Sequence, residues 1–115
     1  MSTTPLFEVR HEPRGSGVVV TAAGEIDLAT SPQLREALLS PVVNAATVVL
    51  DLREVTFIDS SGLGVIVGQH KRAQERDGQF AVAVGGAAAV QRILELSGLG
   101  KVLDIVSDPQ ERIAA

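Results

Sequence analysis

The sequence predicts an α/β protein: a mixed, largely parallel sheet of about five strands carrying three to four helices, in the order ββαβαβαβα. Three observations predict it. From Thr30 onward, short β-branched runs alternate with longer segments of helical period, the pattern of strand–helix–strand units and a parallel sheet. The first two apolar runs are separated only by Arg14-Gly15-Ser16-Gly17, which is turn chemistry and makes that pair a hairpin. The composition is 45% hydrophobic with three Phe and no Trp or Tyr, so Val, Leu, Ile and Ala must fill the core. At 115 residues the chain has the length of a single domain over 1–115, with the core expected over about 6–106 and a short terminal helix over 108–114.

Each element has its own local reason. From Leu6 to Glu12, Phe7, Val9 and His11 alternate with Glu8 and Arg10, as in a half-exposed edge strand; His11 reads there as a solvated surface residue. Val18–Ala23 is the second strand of the hairpin. Thr30-Ser31-Pro32-Gln33 starts a helix, because proline is tolerated where its missing N–H would be unpaired anyway. Leu34, Ala37 and Leu38 continue that helix, and Pro41 is expected to stop it. Thr47–Leu52 is nearly continuous in apolar and β-branched residues, which fits a central strand buried on both faces. Arg53–Ile58 reads as a short connection into a second helix. Leu63, Ile66, Val67 and His70 form the apolar face of that helix, and Gly78 closes it at C′. Gln79–Val84 is a strand; Val90, Ile93, Leu94 and Ser97 mark a third helix capped by Gly98; Val102–Val106 is the last strand. Asp108-Pro109-Gln110-Glu111 combines an N-cap, a Pro at N1 and a Glu at N3.

Composition excludes several functions. A net charge of −4 repels phosphate backbones and anionic membranes, so no direct nucleic-acid partner is expected; His70-Lys71-Arg72 is read as a solvated helix edge. The chain has no cysteine, which removes disulfides, thiolate metal sites and thiol catalysis. No run reaches the roughly 18 apolar residues of a membrane span, and Met1-Ser2-Thr3-Thr4-Pro5 lacks the features of a signal peptide. A cytoplasmic protein without membrane insertion is the expectation.

The chemistry-bearing segment is Phe57-Ile58-Asp59-Ser60-Ser61-Gly62-Leu63-Gly64. It joins a core strand to a helix, where free N–H groups and the positive dipole end collect and can hold an oxyanion. Asp59 or Ser60 would serve as N-cap. Two hydroxyls beside a carboxylate exceed what one cap needs. Gly62 and Gly64 would each cost about 1 kcal/mol relative to Ala within the first turns, which implies a close approach to the backbone. A nucleophilic serine lacks support: G-x-S-x-G is absent, and His70, ten residues on, stands roughly 15 Å away along a helix. The glycines match neither G-x-G-x-x-G nor a Gly-Lys-Ser/Thr phosphate loop. In Gly24-Glu25-Ile26-Asp27-Leu28-Ala29-Thr30 two carboxylates lie between a strand and a helix, expected at the same sheet edge as Asp59. Their spacing specifies no metal, and no cofactor is implied.

These segments resemble the STAS family (sulfate transporter and anti-sigma factor antagonist domains) over Leu6 to Val106. The resemblance rests on Gly24-Glu25-Ile26-Asp27 with Thr30, on Asp59-Ser60-Ser61-Gly62-Leu63-Gly64-Val65, and more weakly on Leu96-Ser97-Gly98-Leu99. It implies a STAS-like single domain and an anti-sigma factor antagonist, monomeric when free and not an enzyme. In such proteins the unphosphorylated form binds an anti-sigma factor that is itself a serine kinase and so releases the sigma factor. The kinase phosphorylates the serine here numbered Ser60, with Ser61 the second candidate, and a metal-dependent serine phosphatase reverses the step. Asp27, Thr30, Asp59, Ser60, Ser61, Gly62 and Leu63 are similar to positions of the partner-binding surface. The alternative implied by the family is a non-catalytic STAS subunit of a lipid or ion transport assembly.

Overall fold

A computed structural model of the chain describes residues 6–114; the leaderless reading of Met1–Pro5 falls outside them. Strands β1 (Phe7–Arg14), β2 (Gly17–Ile26), β3 (Thr47–Ile58), β4 (Gln79–Ala83) and β5 (Asp104–Val106) enclose helices α1 (Ser31–Asn44), α2 (Ser60–Glu75) and α3 (Ala88–Ser97). The sheet order is β1-β2-β3-β4-β5. Only the β1–β2 pair is antiparallel; β2–β3, β3–β4 and β4–β5 are parallel. Each crossover therefore advances the sheet in one direction. Right-handed connections then place every helix on the same face.

That face holds the main core. Val20, Ala22, Leu50, Leu52, Phe80 and Val82 meet Leu34 and Leu38 of α1, Ile66 and Ala73 of α2, and Val90 and Leu94 of α3. Strand periodicity turns the intervening residues to the opposite face. There Val19, Val49, Ala81, Ala83 and Val106 pack with Ile113, which follows a 3-10 turn over Pro109–Glu111. A methyl group on Gly17 would lie 2.7 Å from Ile113 Cδ1, so glycine lets the C-terminal segment lie flat. Buried Asp51 accepts from Arg53 Nε at 3.0 Å and Nη2 at 2.9 Å, and Arg53 Nη1 reaches Asp108 at 3.0 Å. The hydrogen bond to Asp51 raises the Arg53 pKa above its ordinary value.

Several boundaries differ from expectation. Arg53–Ile58 is strand rather than connection, because β3 stays paired with β2 as far as Ile26↔Ile58. Register shifts between Thr21/Ala23 and Gly24/Glu25 place extra residues in β3, and such bulges hide the alternation. Pro41 lies inside α1. The buried stripe of α2 is Gly62, Ile66, Gln69 and Ala73, which leaves Val67 and His70 at its margins. Asp77, at φ 56°, takes the left-handed position assigned to Gly78, whose N–H instead donates to Ala73 O at 2.8 Å while Asp77 N–H donates to Gln74 O at 3.2 Å, a Schellman closure. Val102 precedes a shortened β5, since Leu99–Lys101 winds as a 3-10 turn. The terminal helix over 108–114 is only the turn Pro109–Glu111; its capping box is present, but one turn is too short to propagate an α-helix.

Candidate functional site

The parallel strands β2 and β3 end side by side. Glu25 pairs with Phe57 and Ile26 with Ile58, and the N–H of Asp59 donates to Ile26 O at 3.1 Å. Asp27 and Asp59 thus each leave the sheet one residue after an aligned pair, and the two acidic segments share one edge.

Asp59 is the N-cap of α2. Its Oδ1 accepts from the N–H groups of Ser61 at 2.8 Å and Gly62 at 3.3 Å. With the cap filled by Asp59, Ser60 occupies the first helical position, exposed to solvent. Its hydroxyl enters no hydrogen bond among the described residues. Ser61 and Leu63 are half-buried, and Leu63 packs against the core. Gly62 is buried: a methyl group there would stand 2.6 Å from Ile26 Cγ2 and 2.7 Å from Ile58 Cγ1. The close approach expected at Gly62 is therefore made by the chain's own sheet. Gly64 is exposed, and a methyl group there would meet nothing within 4 Å. Nothing within the molecule requires glycine there.

The β2–α1 loop is held by its own polar groups. Asp27 Oδ1 accepts from Ala29 N at 2.9 Å and Thr30 N at 3.0 Å. Thr30 Oγ1 donates to Glu25 O at 2.8 Å and accepts from Asp27 N at 2.9 Å. Asp27 and Thr30 are both half-buried, and these bonds fix the loop as a rigid shoulder. The exposed tip of that shoulder is Leu28, 78% accessible, and at the adjoining strand end Phe57 is 46% accessible. Sequence reasoning missed both. The available signal was the adjacency of Phe57 and Ile58: a strand turns neighbouring side chains to opposite faces, so only one could enter the helix-side core.

No described cation forms a salt bridge with Asp27 or Asp59. Among the described residues, no group of three His, Asp or Glu side chains is arranged to hold a metal. The arrangement leaves the exposed Ser60 at a helix end whose dipole favours an anion.

A family model for the STAS domain matches residues 7–112. An anti-sigma-B factor antagonist of Listeria monocytogenes is 38% identical over 87 residues, 75% of each chain. An anti-sigma F factor antagonist of Paenibacillus polymyxa is 33% identical over 101 residues, 86% of each chain. Among solved structures, an anti-sigma factor antagonist from Mycobacterium paratuberculosis superposes with a TM-score of 0.84 at 27% identity, covering 91% of this chain and 89% of the other.

Proposed function

The chain belongs to the STAS domain family, and on that premise we propose that it is an anti-sigma factor antagonist whose docking is switched off by phosphorylation of Ser60. The relatives described above are named for antagonism of anti-sigma factors rather than as transport subunits. The observation that carries the switch is the exposed Ser60 hydroxyl on a helix already capped by Asp59. Modification there leaves the capping bonds in place.

The unphosphorylated form binds an anti-sigma factor serine kinase and releases the sigma factor. Phosphoserine adds close to two negative charges beside Asp59 and Asp27. A partner surface that fits the neutral hydroxyl then meets repulsion and loses solvation, a change on the order of several kcal/mol. A metal-dependent serine phosphatase restores the binding form.

Calorimetric titration with purified anti-sigma serine kinases tests this reading. Ser60→Ala binds like the unmodified protein and takes up no phosphate, whereas Ser60→Asp binds at least roughly 100-fold more weakly, from the same like-charge penalty. Undiminished affinity of Ser60→Asp, or phosphate found elsewhere by mass spectrometry, would overturn the mechanism.

A further inference from the structure

The sheet face without helices carries a second feature at the same end as Ser60. Phe57 pairs with Glu25, and the carbonyl of Leu6 accepts from the N–H of Glu25 at 3.3 Å. Leu6, just before β1, Glu25 of β2 and Phe57 of β3 therefore form one row across the end of the sheet. Phe7, Ile26 and Ile58, the adjacent residues, all enter the helix-side core, so the row faces the other way. Leu6 is 81% and Phe57 46% accessible, so one row exposes two large apolar side chains.

The charges around the row are unequal. Arg10 is already engaged, its Nη1 2.8 Å from Glu8 and its Nη2 2.7 Å from Glu54. Glu25 is exposed, and its carboxylate has no salt-bridge or hydrogen-bond partner among the described residues. An acid with no cation beside it among the described residues thus stands between two apolar side chains. The lower part of this face lies beneath Ile113 and the C-terminal turn, which leaves the row at the uncovered end.

We infer that Leu6, Glu25 and Phe57 form a second contact for the anti-sigma factor kinase, one that receives an amphipathic helix bearing Lys or Arg between two apolar side chains. The inference rests on the Ser60 reading and extends it around the same strand end, since Phe57 precedes Ser60 by three residues and Glu25 precedes Asp27 by two. Strand spacing puts Leu6 and Phe57 about 10 Å apart. Apolar residues at i and i+7 of a helix are separated by about 10.5 Å, with i+3 or i+4 midway. A cation at that midpoint would meet Glu25.

The test is titration of the kinase that separates Ser60→Ala from Ser60→Asp into Glu25→Lys, Phe57→Ser and Leu6→Ser forms of the unphosphorylated protein. Glu25→Lys and Phe57→Ser each weaken binding about tenfold or more, as central contacts do, and Glu25→Gln flattens the salt dependence of the affinity. If Phe57→Ser lowers the melting temperature, Glu25→Lys decides, since its side chain makes no internal bond to lose. Wild-type affinity in both variants while Ser60→Asp fails to bind overturns the row and leaves the Ser60 reading standing. If no anti-sigma kinase separates Ser60→Ala from Ser60→Asp, the Ser60 reading falls and the row falls with it.

Discussion

The Nε2 atom of His11 lies 2.8 Å from the carbonyl oxygen of Ala37, the acceptor that Pro41, four residues further along α1, cannot serve. Proline inside a helix removes the i→i−4 donor, and a side chain from the edge strand supplies it. Since the carbonyl only accepts, Nε2 carries the proton. His11→Ala is expected to lower stability by about 0.5–1 kcal/mol, the usual net value of one hydrogen bond. In a Pro41→Ala background the loss shrinks, because the backbone N–H returns. Urea unfolding of the four proteins reads the coupling, and equal losses in both backgrounds would contradict it.

Gly62 and Gly64 are expected to respond in opposite directions. Gly62→Ala drives a methyl group into Ile26 and Ile58, and such overpacking costs about 1–3 kcal/mol. Gly64→Ala meets nothing and gains helix propensity, about 0.5–1 kcal/mol. Thermal melts of the two variants should move to either side of the parent. A stabilised Gly62→Ala would mean that α2 does not sit on the sheet as described.

The contrast between these glycines shows what the sequence could and could not reveal. The runs Val18–Val20 and Val48–Leu50 announce strands because their side chains are uniformly β-branched or apolar. The end of β3 does not: Arg53, Glu54 and Thr56 are polar and two bulges break the alternation, so only pairing with β2 identifies Arg53–Ile58 as strand. Pro41 was misleading because its compensating donor comes from residue 11, a tertiary fact. At the site, the Asp59-to-Gly64 segment was legible from local chemistry alone. Which glycine is packed and which is open, and the exposure of Leu28, depend on long-range packing that no local pattern encodes, and the local signal at Phe57 counts only once Arg53–Ile58 is known to be strand.

Asp77 holds a left-handed conformation that glycine adopts without a Cβ penalty. Asp77→Gly is expected to raise stability by about 0.5–1 kcal/mol, because relief of the strain outweighs the added freedom of the unfolded chain. For a protein of 115 residues that is a rise of roughly 2–6 °C in melting temperature. A fall would show that the carboxylate makes a compensating contribution at the turn.

Buried Gln69 keeps its Oε1 without a hydrogen-bond partner among the described residues, on the stripe of α2 that faces the core. An unsatisfied buried acceptor costs about 1–3 kcal/mol, and an apolar side chain of similar shape removes that cost. Gln69→Met is therefore expected to stabilise the fold by about 1 kcal/mol, read as a higher urea midpoint at unchanged slope.

Asp59 separates the scaffold from the switch. Asp59→Asn keeps an oxygen to accept from the Ser61 and Gly62 N–H groups, so stability should stay within a few tenths of a kcal/mol, while Asp59→Ala loses the cap and about 1 kcal/mol. Phosphorylation of Ser60 adds charge at the first position of α2, where the dipole favours it by about 0.3–1 kcal/mol and the neighbouring Asp59 carboxylate opposes it. The two effects largely cancel, so the phosphorylated protein should melt close to the unmodified one even as partner affinity collapses. In Asp59→Asn the opposition is gone, and phosphorylation should raise the melting temperature. Differential scanning calorimetry of the four forms checks this; a large destabilisation by phosphate in the parent would mean that the switch works by unfolding the mouth of α2 rather than by charging its surface.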